Sequence, residues 1–192
     1  MPGTENYSRR GQAQSAATEW GTMTEYLETI LTGQFEASLA MLNQCVRLCN
    51  PEHWEGLIAK ATFRRIAYHT LFFVDLYLSP RDEAFELRSL HRRGGWTEPD
   101  GEAPRVGLPK DDTLGYVDIC RAKMLETMAW ETAASLEGPS GFSWLPISRG
   151  ELHIYNIRHI QHHTGQMSAY LRRVDPVLKA TNALDWVRTG WP

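Results

Sequence analysis

Cysteine is scarce in this sequence. The 192 residues hold only Cys45, Cys49 and Cys120. Three is an odd number and too few for a disulfide framework, and the absence of any C-x-x-C pair excludes a zinc ribbon or a thioredoxin-like centre. Ordinary reduced, buried thiols are the expectation for all three. Long apolar runs are missing too. A stretch such as Leu71–Val74 falls far short of the ~18 residues needed to span a bilayer. Like charges never run beyond a pair, and 20 basic against 23 acidic residues leave a net charge of −3. That balance speaks against nucleic acid or an anionic membrane as partner. The polar opening from Met1 to Gln14 lacks the apolar core of a secretion signal, so a cytoplasmic protein is expected.

Several enzyme signatures are also absent. No glutamate is followed by a histidine three residues later, as a ferritin-like di-iron bundle requires. H-E-x-x-H, G-x-S-x-G, the phosphate loop and the dinucleotide fingerprint do not occur.

What remains reads as helix. Residues 1–21 are rich in Gly, Ser, Gln, Thr and Ala and read as a tail, leaving 22–192 as a single domain. From about Thr22, Met23, Leu27, Ile30, Leu31, Gln34, Met41, Leu42 and Cys45 recur at three- and four-residue steps. This pattern stops at Asn50-Pro51, where a short helix Pro51–Glu55 with Asn50 as cap is expected. A second pattern runs from about Leu57 to Leu78. The third spans about Thr113 to Leu136, closed by Gly138-Pro139. The fourth opens on the capping-box spacing Ser148-Arg149-Gly150-Glu151 and continues to about Val174. No period-two run suggests a sheet. The sequence therefore predicts an all-α four-helix bundle. The long, mostly irregular connection from Pro80 to Asp112 can span the bundle's length, which permits an up-down-down-up order.

Histidine is the residue in surplus: four of seven fall between His153 and His163. His159 and His163 are four apart, so their imidazoles share a helical face. Alternating steps of four and three from Leu152 give Asn156, His159, His163, Gln166 and Tyr170, a seam expected to face the interior. Buried imidazoles without partners cost several kcal/mol, a cost that a metal ion removes. On the second helix, Ile66, His69, Phe73 and Leu76 form an inner seam with one imidazole. His69 lies near that helix's midpoint, and His159 and His163 near the midpoint of the fourth. Three imidazoles and an open position make a catalytic zinc-type site. His162 points about 100° away from the pair, and His53, His91 and His153 lie off the seam.

Such a site supports two chemistries. It can acidify water for hydrolysis, or bind the thiolate of a low-molecular-weight thiol for S-transfer or thiol-assisted isomerisation. Arg65 and Arg158 are candidate anion anchors, while Asn156, Gln166 and Tyr170 are candidate partners for the ligating rings. A non-catalytic metal- or ligand-binding dimeric module is the reading from a different class, with seven tryptophans supplying apolar area.

The segment from Asn156 through Met167, with Tyr170-Leu171-Arg172, resembles the fourth-helix signature of the DinB/YfiT-like metalloenzyme family. The segment Arg65–Phe73 resembles that family's second-helix histidine motif, and Asp185-Trp186-Val187 fits its ending. The resemblance implies an up-down-down-up bundle holding zinc or nickel through His69, His159 and His163, commonly as a homodimer. It also implies a small-molecule substrate. Relatives in the family include a mycothiol-dependent maleylpyruvate isomerase and thiol S-transferases, and others are regarded as hydrolases.

Overall fold

The computed structural model describes residues 5–92, 106–181 and 184–192, with backbone alone for 5–22. Expectations for residues 1–4, for the side chains around Trp20, and for the middle of the Pro80–Asp112 connection lie outside the described residues. Among those described, the chain is mostly helical, with α1 (Glu5–Leu48), α2 (Phe63–Tyr77), α3 (Lys110–Trp130), α4 (Ala133–Glu137), α5 (Arg149–Val174) and α6 (Pro176–Thr181). Four of these are long. A two-residue hairpin, β1 (Leu57–Ile58) against β2 (Ala61–Thr62), is the only sheet described. No described helix is long and apolar enough to cross a membrane.

Helix boundaries follow local chemistry. In α2 the Thr62 hydroxyl accepts from the Arg65 N–H, a cap worth about 1 kcal/mol. The helix ends just before Ser79-Pro80. At α5, Ser148 accepts from the Glu151 N–H while Glu151 Oε2 accepts from the Ser148 N–H at 2.9 Å, the reciprocal box that the spacing predicts. Asp175 ends α5 and caps α6, its Oδ1 accepting from Val177 and Leu178 N–H.

Four boundaries depart from the sequence reading. Backbone helix extends back to Glu5 rather than starting at Thr22; this stretch has no apolar stripe, so periodicity could not reveal it. The second helix starts at Phe63, because Ala59 takes a φ of 56° and turns Leu57–Thr62 into the hairpin. Asn50 does not cap the turn after it. That element is a single 3-10 turn (Pro51–His53), and the Asn50 amide donates instead to Asp175 Oδ2 at 2.8 Å. Finally, the third pattern is two helices. Thr132 breaks it by capping α4 through the Ser135 N–H, with no glycine or proline involved.

Both α1 and α2 pack against α3 and α5. Phe35, Leu39 and Leu42 of α1, Tyr68 and Leu71 of α2, Met124 and Met128 of α3, and Ile160 and Met167 of α5 join in one buried core. Met23, Leu27 and Ile30, assigned to the first helix's apolar pattern, are exposed. All three cysteines are free and buried, and burial pushes the Cys45 and Cys49 thiols up to about 12. They are inert packing groups.

Candidate metal centre

Halfway along α2 the chain turns His69 inward, one helical turn before Phe73, and the two rings lie 4.8 Å apart. From α5, His159 and His163 project to the same point. Their ring centroids are 4.6 Å apart, and those of His69 lie 5.3 and 5.0 Å from His159 and His163. One ring nitrogen from each of the three can be chosen so that all lie within 4.8 Å of one another. His69 and His163 are buried and His159 is half-buried.

His69 Nε2 and His159 Nε2 lie 3.3 Å apart. With metal–nitrogen bonds of about 2.0–2.1 Å, the edge of a tetrahedron is about 3.3–3.4 Å. That pair already has the spacing of two ligands on one ion. No separation exceeds 4.8 Å, roughly 1.4 Å longer than such an edge.

Burial keeps the two α5 rings neutral. Burial, reinforced by His163, His69 and His162, drives His159 down to about 2. Burial likewise lowers His163, against a smaller opposing effect of its bond to Gln166. Neutral imidazole is the form that ligates a divalent ion. Tautomer is set by neighbours. Gln166 Oε1 stands 2.9 Å from His163 Nδ1, so a proton on Nδ1 leaves the Nε2 lone pair for the cluster. The amide nitrogen of Gln166 is turned to His162 Nε2 at 3.3 Å, which fixes the oxygen's direction. His159 Nδ1 is buried with no hydrogen-bond partner among the described residues.

The remaining candidates are dispersed. Arg158 is exposed and shares a surface hollow of about 460 Å³ with Tyr155, His159, Gln161 and His162. Arg65 is fully buried in the first turn of α2, its charge acting on Tyr68. Asn156 is buried and donates to Val74 O at 3.5 Å. Tyr170 packs on Phe63 and His53 near the start of α2, against Gly56, where a Cβ would meet its hydroxyl at 1.8 Å. Gln166 contacts the triad yet is exposed, at the rim of the seam rather than inside it.

Two buried charge clusters escaped the sequence reading. Asp75, in the apolar run of α2, takes Lys123 at 2.7 Å and His91 at 3.3 Å, with Tyr116 donating to it at 3.1 Å. These contacts pin the connection after α2 to the bundle. Glu131 joins Arg149 at 2.9 Å and His153 at 2.8 Å, and Arg149 also donates to the Tyr77, Leu78 and Ser79 carbonyls. This cluster ties the end of α3 to the start of α5. A carboxylate inside an apolar helical stripe, as at Asp75, was the available signal.

The chain matches no protein-family model, no curated protein and no solved structure.

Proposed function

We propose that this chain is a DinB-like metal-dependent enzyme that transfers the sulfur of a small thiol to an electrophile or uses that thiol in an isomerisation. The observation that carries the reading is the convergence of His69, His159 and His163 from two helices, with a pair of nitrogens at ligand spacing. The donor set fits zinc or nickel: three imidazoles, one of them oriented by Gln166. A divalent ion supplies a Lewis acid that acidifies a coordinated thiol or water.

The chain's own residues supply the rest. Gln166 accepts from His163 and holds that ring in one tautomer. Phe73, against His69 and His159, keeps water from that side of the triad. Arg158, in the hollow beside His159, offers a guanidinium to a carboxylate of the thiol. This last placement favours thiol chemistry over hydrolysis.

The scaffold belongs to the same proposal: an up-down-down-up bundle. Pairings rise together along α1 and α5, from Phe35–His153 through Met41–Gln161 to Cys45–Thr164. They also rise together along α2 and α3, from Tyr68–Tyr116 to Leu78–Thr127. Between α2 and α5 they run in opposition, Phe63 meeting Tyr170 and Tyr77 meeting Tyr155. A homodimer completes the proposal, with an exposed apolar stripe on α1 as its surface.

The deciding assay incubates metal-loaded protein with electrophiles, with and without small thiols, and with esters and amides. Thiol-dependent turnover that His159→Ala abolishes is the expected result. Product formed without thiol would replace transfer by hydrolysis, and full metal occupancy without turnover would replace the enzyme by a binding module.

A further inference from the structure

Phe73 borders two features. It lies against the His69 and His159 rings, with centroids 4.8 and 5.7 Å away. Phe73 also lines a second hollow, distinct from the one beside His159. This hollow measures about 500 Å³ and is walled by Phe72, Phe73, Leu76, Phe85, Leu87 and Trp144. Its walls come from three places in the chain: α2, the connection after it, and the loop between α4 and α5.

These pieces are held in position. Phe85 meets Phe72 edge-on at 5.4 Å, and His91 packs on both rings. His91 is itself fastened to buried Asp75 and Tyr116. On the opposite side, Trp144 stacks edge-on to Phe142, which meets Tyr77. The Asp82 N–H donates to the Gly141 carbonyl at 3.3 Å and joins the two loops. Gly141 permits that approach, because its φ is +86° and a Cβ would lie 2.2 Å from the Pro80 oxygen. The pocket is thus a formed concavity, although Leu87 and Trp144 leave 65% and 49% of their surface to solvent.

Its chemistry selects an occupant. Aromatic walls present ring edges and faces that a flat ring matches better than a flexible chain. A volume of this size falls in the range of small-molecule sites. Among the described residues, Asp82 is the charged one in its walls, and a carboxylate there repels an anion. We infer that this hollow binds an uncharged aromatic group of the small-molecule substrate, with Phe73 as the wall it shares with the histidine triad. The inference rests on the metal-centre reading for the word substrate, but the aromatic site stands on its own walls.

The test is equilibrium dialysis of 2-naphthol and of 2-naphthoate against the full chain near neutral pH, alongside a separate measurement of cobalt(II) uptake. Saturable 2-naphthol binding is expected, at least tenfold tighter than that of the anionic naphthoate. Asp82→Asn should narrow this ratio. Leu87→Glu and Trp144→Ala, both at exposed positions, should each weaken 2-naphthol at least fivefold, while Val177→Glu on α6 leaves it unchanged. No saturable binding, or equal binding by the pocket variants and the Val177 variant, overturns the inference. Cobalt uptake without naphthol binding removes the aromatic site and spares the metal centre. Naphthol binding of the expected pattern without cobalt uptake removes the metal centre and retains the site.

Discussion

His69 Nε2 and His159 Nε2 stand 3.3 Å apart, though 90 positions separate the two residues in the chain. Two neutral imidazole nitrogens at that distance must have a proton or a cation between them, since facing lone pairs repel. The packing of α2 against α5 sets the spacing, so the site is a product of the fold rather than of a mobile loop.

Gln166 tests how the triad is oriented. Gln166→Leu removes the acceptor at His163 Nδ1 and leaves that ring free to change tautomer. Metal affinity should fall roughly 10- to 100-fold, the usual effect of losing such a partner. Gln166→Glu keeps an acceptor and should retain most of the affinity. Competition with a chelator of known affinity reads both variants, and an unchanged Gln166→Leu would remove this orienting role.

Acid should weaken the metal-free protein. His159 is held down to about 2 by burial first, whereas an unfolded imidazole titrates near ~6.5. The unfolded chain therefore binds the extra proton below ~6.5, and the stability present above that pH is lost as pH falls toward the folded value. Between pH 7 and 5 this one group accounts for up to about 2 kcal/mol. Urea titrations of chelator-treated protein at both values should show the loss, and His159→Gln should reduce it. An equal loss in that variant would assign the acid sensitivity elsewhere, His163 and His153 being lowered by burial too.

Asp75 should prove costly to remove. Asp75→Ala strips a fully buried carboxylate from Lys123, His91 and Tyr116, and leaves a cation without its counter-charge. Breaking one side of a buried pair costs roughly 3–5 kcal/mol. The same change releases the segment around Phe85 and His91, so limited proteolysis should cut there sooner than in the unaltered protein. Stability within 1 kcal/mol of the original, roughly the value of an exposed pair, would contradict this account of the cluster.

The exposed stripe on α1 concerns assembly. Met23, Tyr26, Leu27 and Ile30 follow helical spacing, and each leaves more than 40% of its surface open. Sedimentation at micromolar concentration should give twice the 21.9 kDa of one chain. Tyr26→Glu combined with Ile30→Glu should return it to a single chain. A monomer before substitution would remove the dimer.

Much of this molecule was legible in one dimension, for identifiable reasons. Ser148 and Glu151 cap a helix through contacts three residues apart, so the start of α5 could be read directly. His159 and His163 share a face by helical geometry, and matching height brought in His69. What stayed hidden depends on partners distant in sequence or on backbone choices without a strong breaker. The break at Glu131 is made by a threonine cap, and Leu57–Thr62 reads as apolar helix until Ala59 turns it. His91 and His153 lie off the histidine seam, but each is paired with a carboxylate that only tertiary packing supplies. Tyr170 and Asn156 lie on the seam that periodicity marks, yet Phe63 and the Val74 carbonyl engage them away from the triad.

Metal content is the most direct measurement of the central claim. The unaltered protein and the variants His69→Ala, His159→Ala, His163→Ala and His162→Ala are loaded with zinc or nickel, dialysed and analysed for bound metal, with folding checked by circular dichroism. His162 is exposed and meets the cluster at its rim, against Gln166 and the His163 ring. One ion per chain is expected in the unaltered protein and in His162→Ala, with strong loss in the other three. Equal retention in all five proteins, or loss in His162→Ala with retention in His163→Ala, would contradict the three-histidine centre.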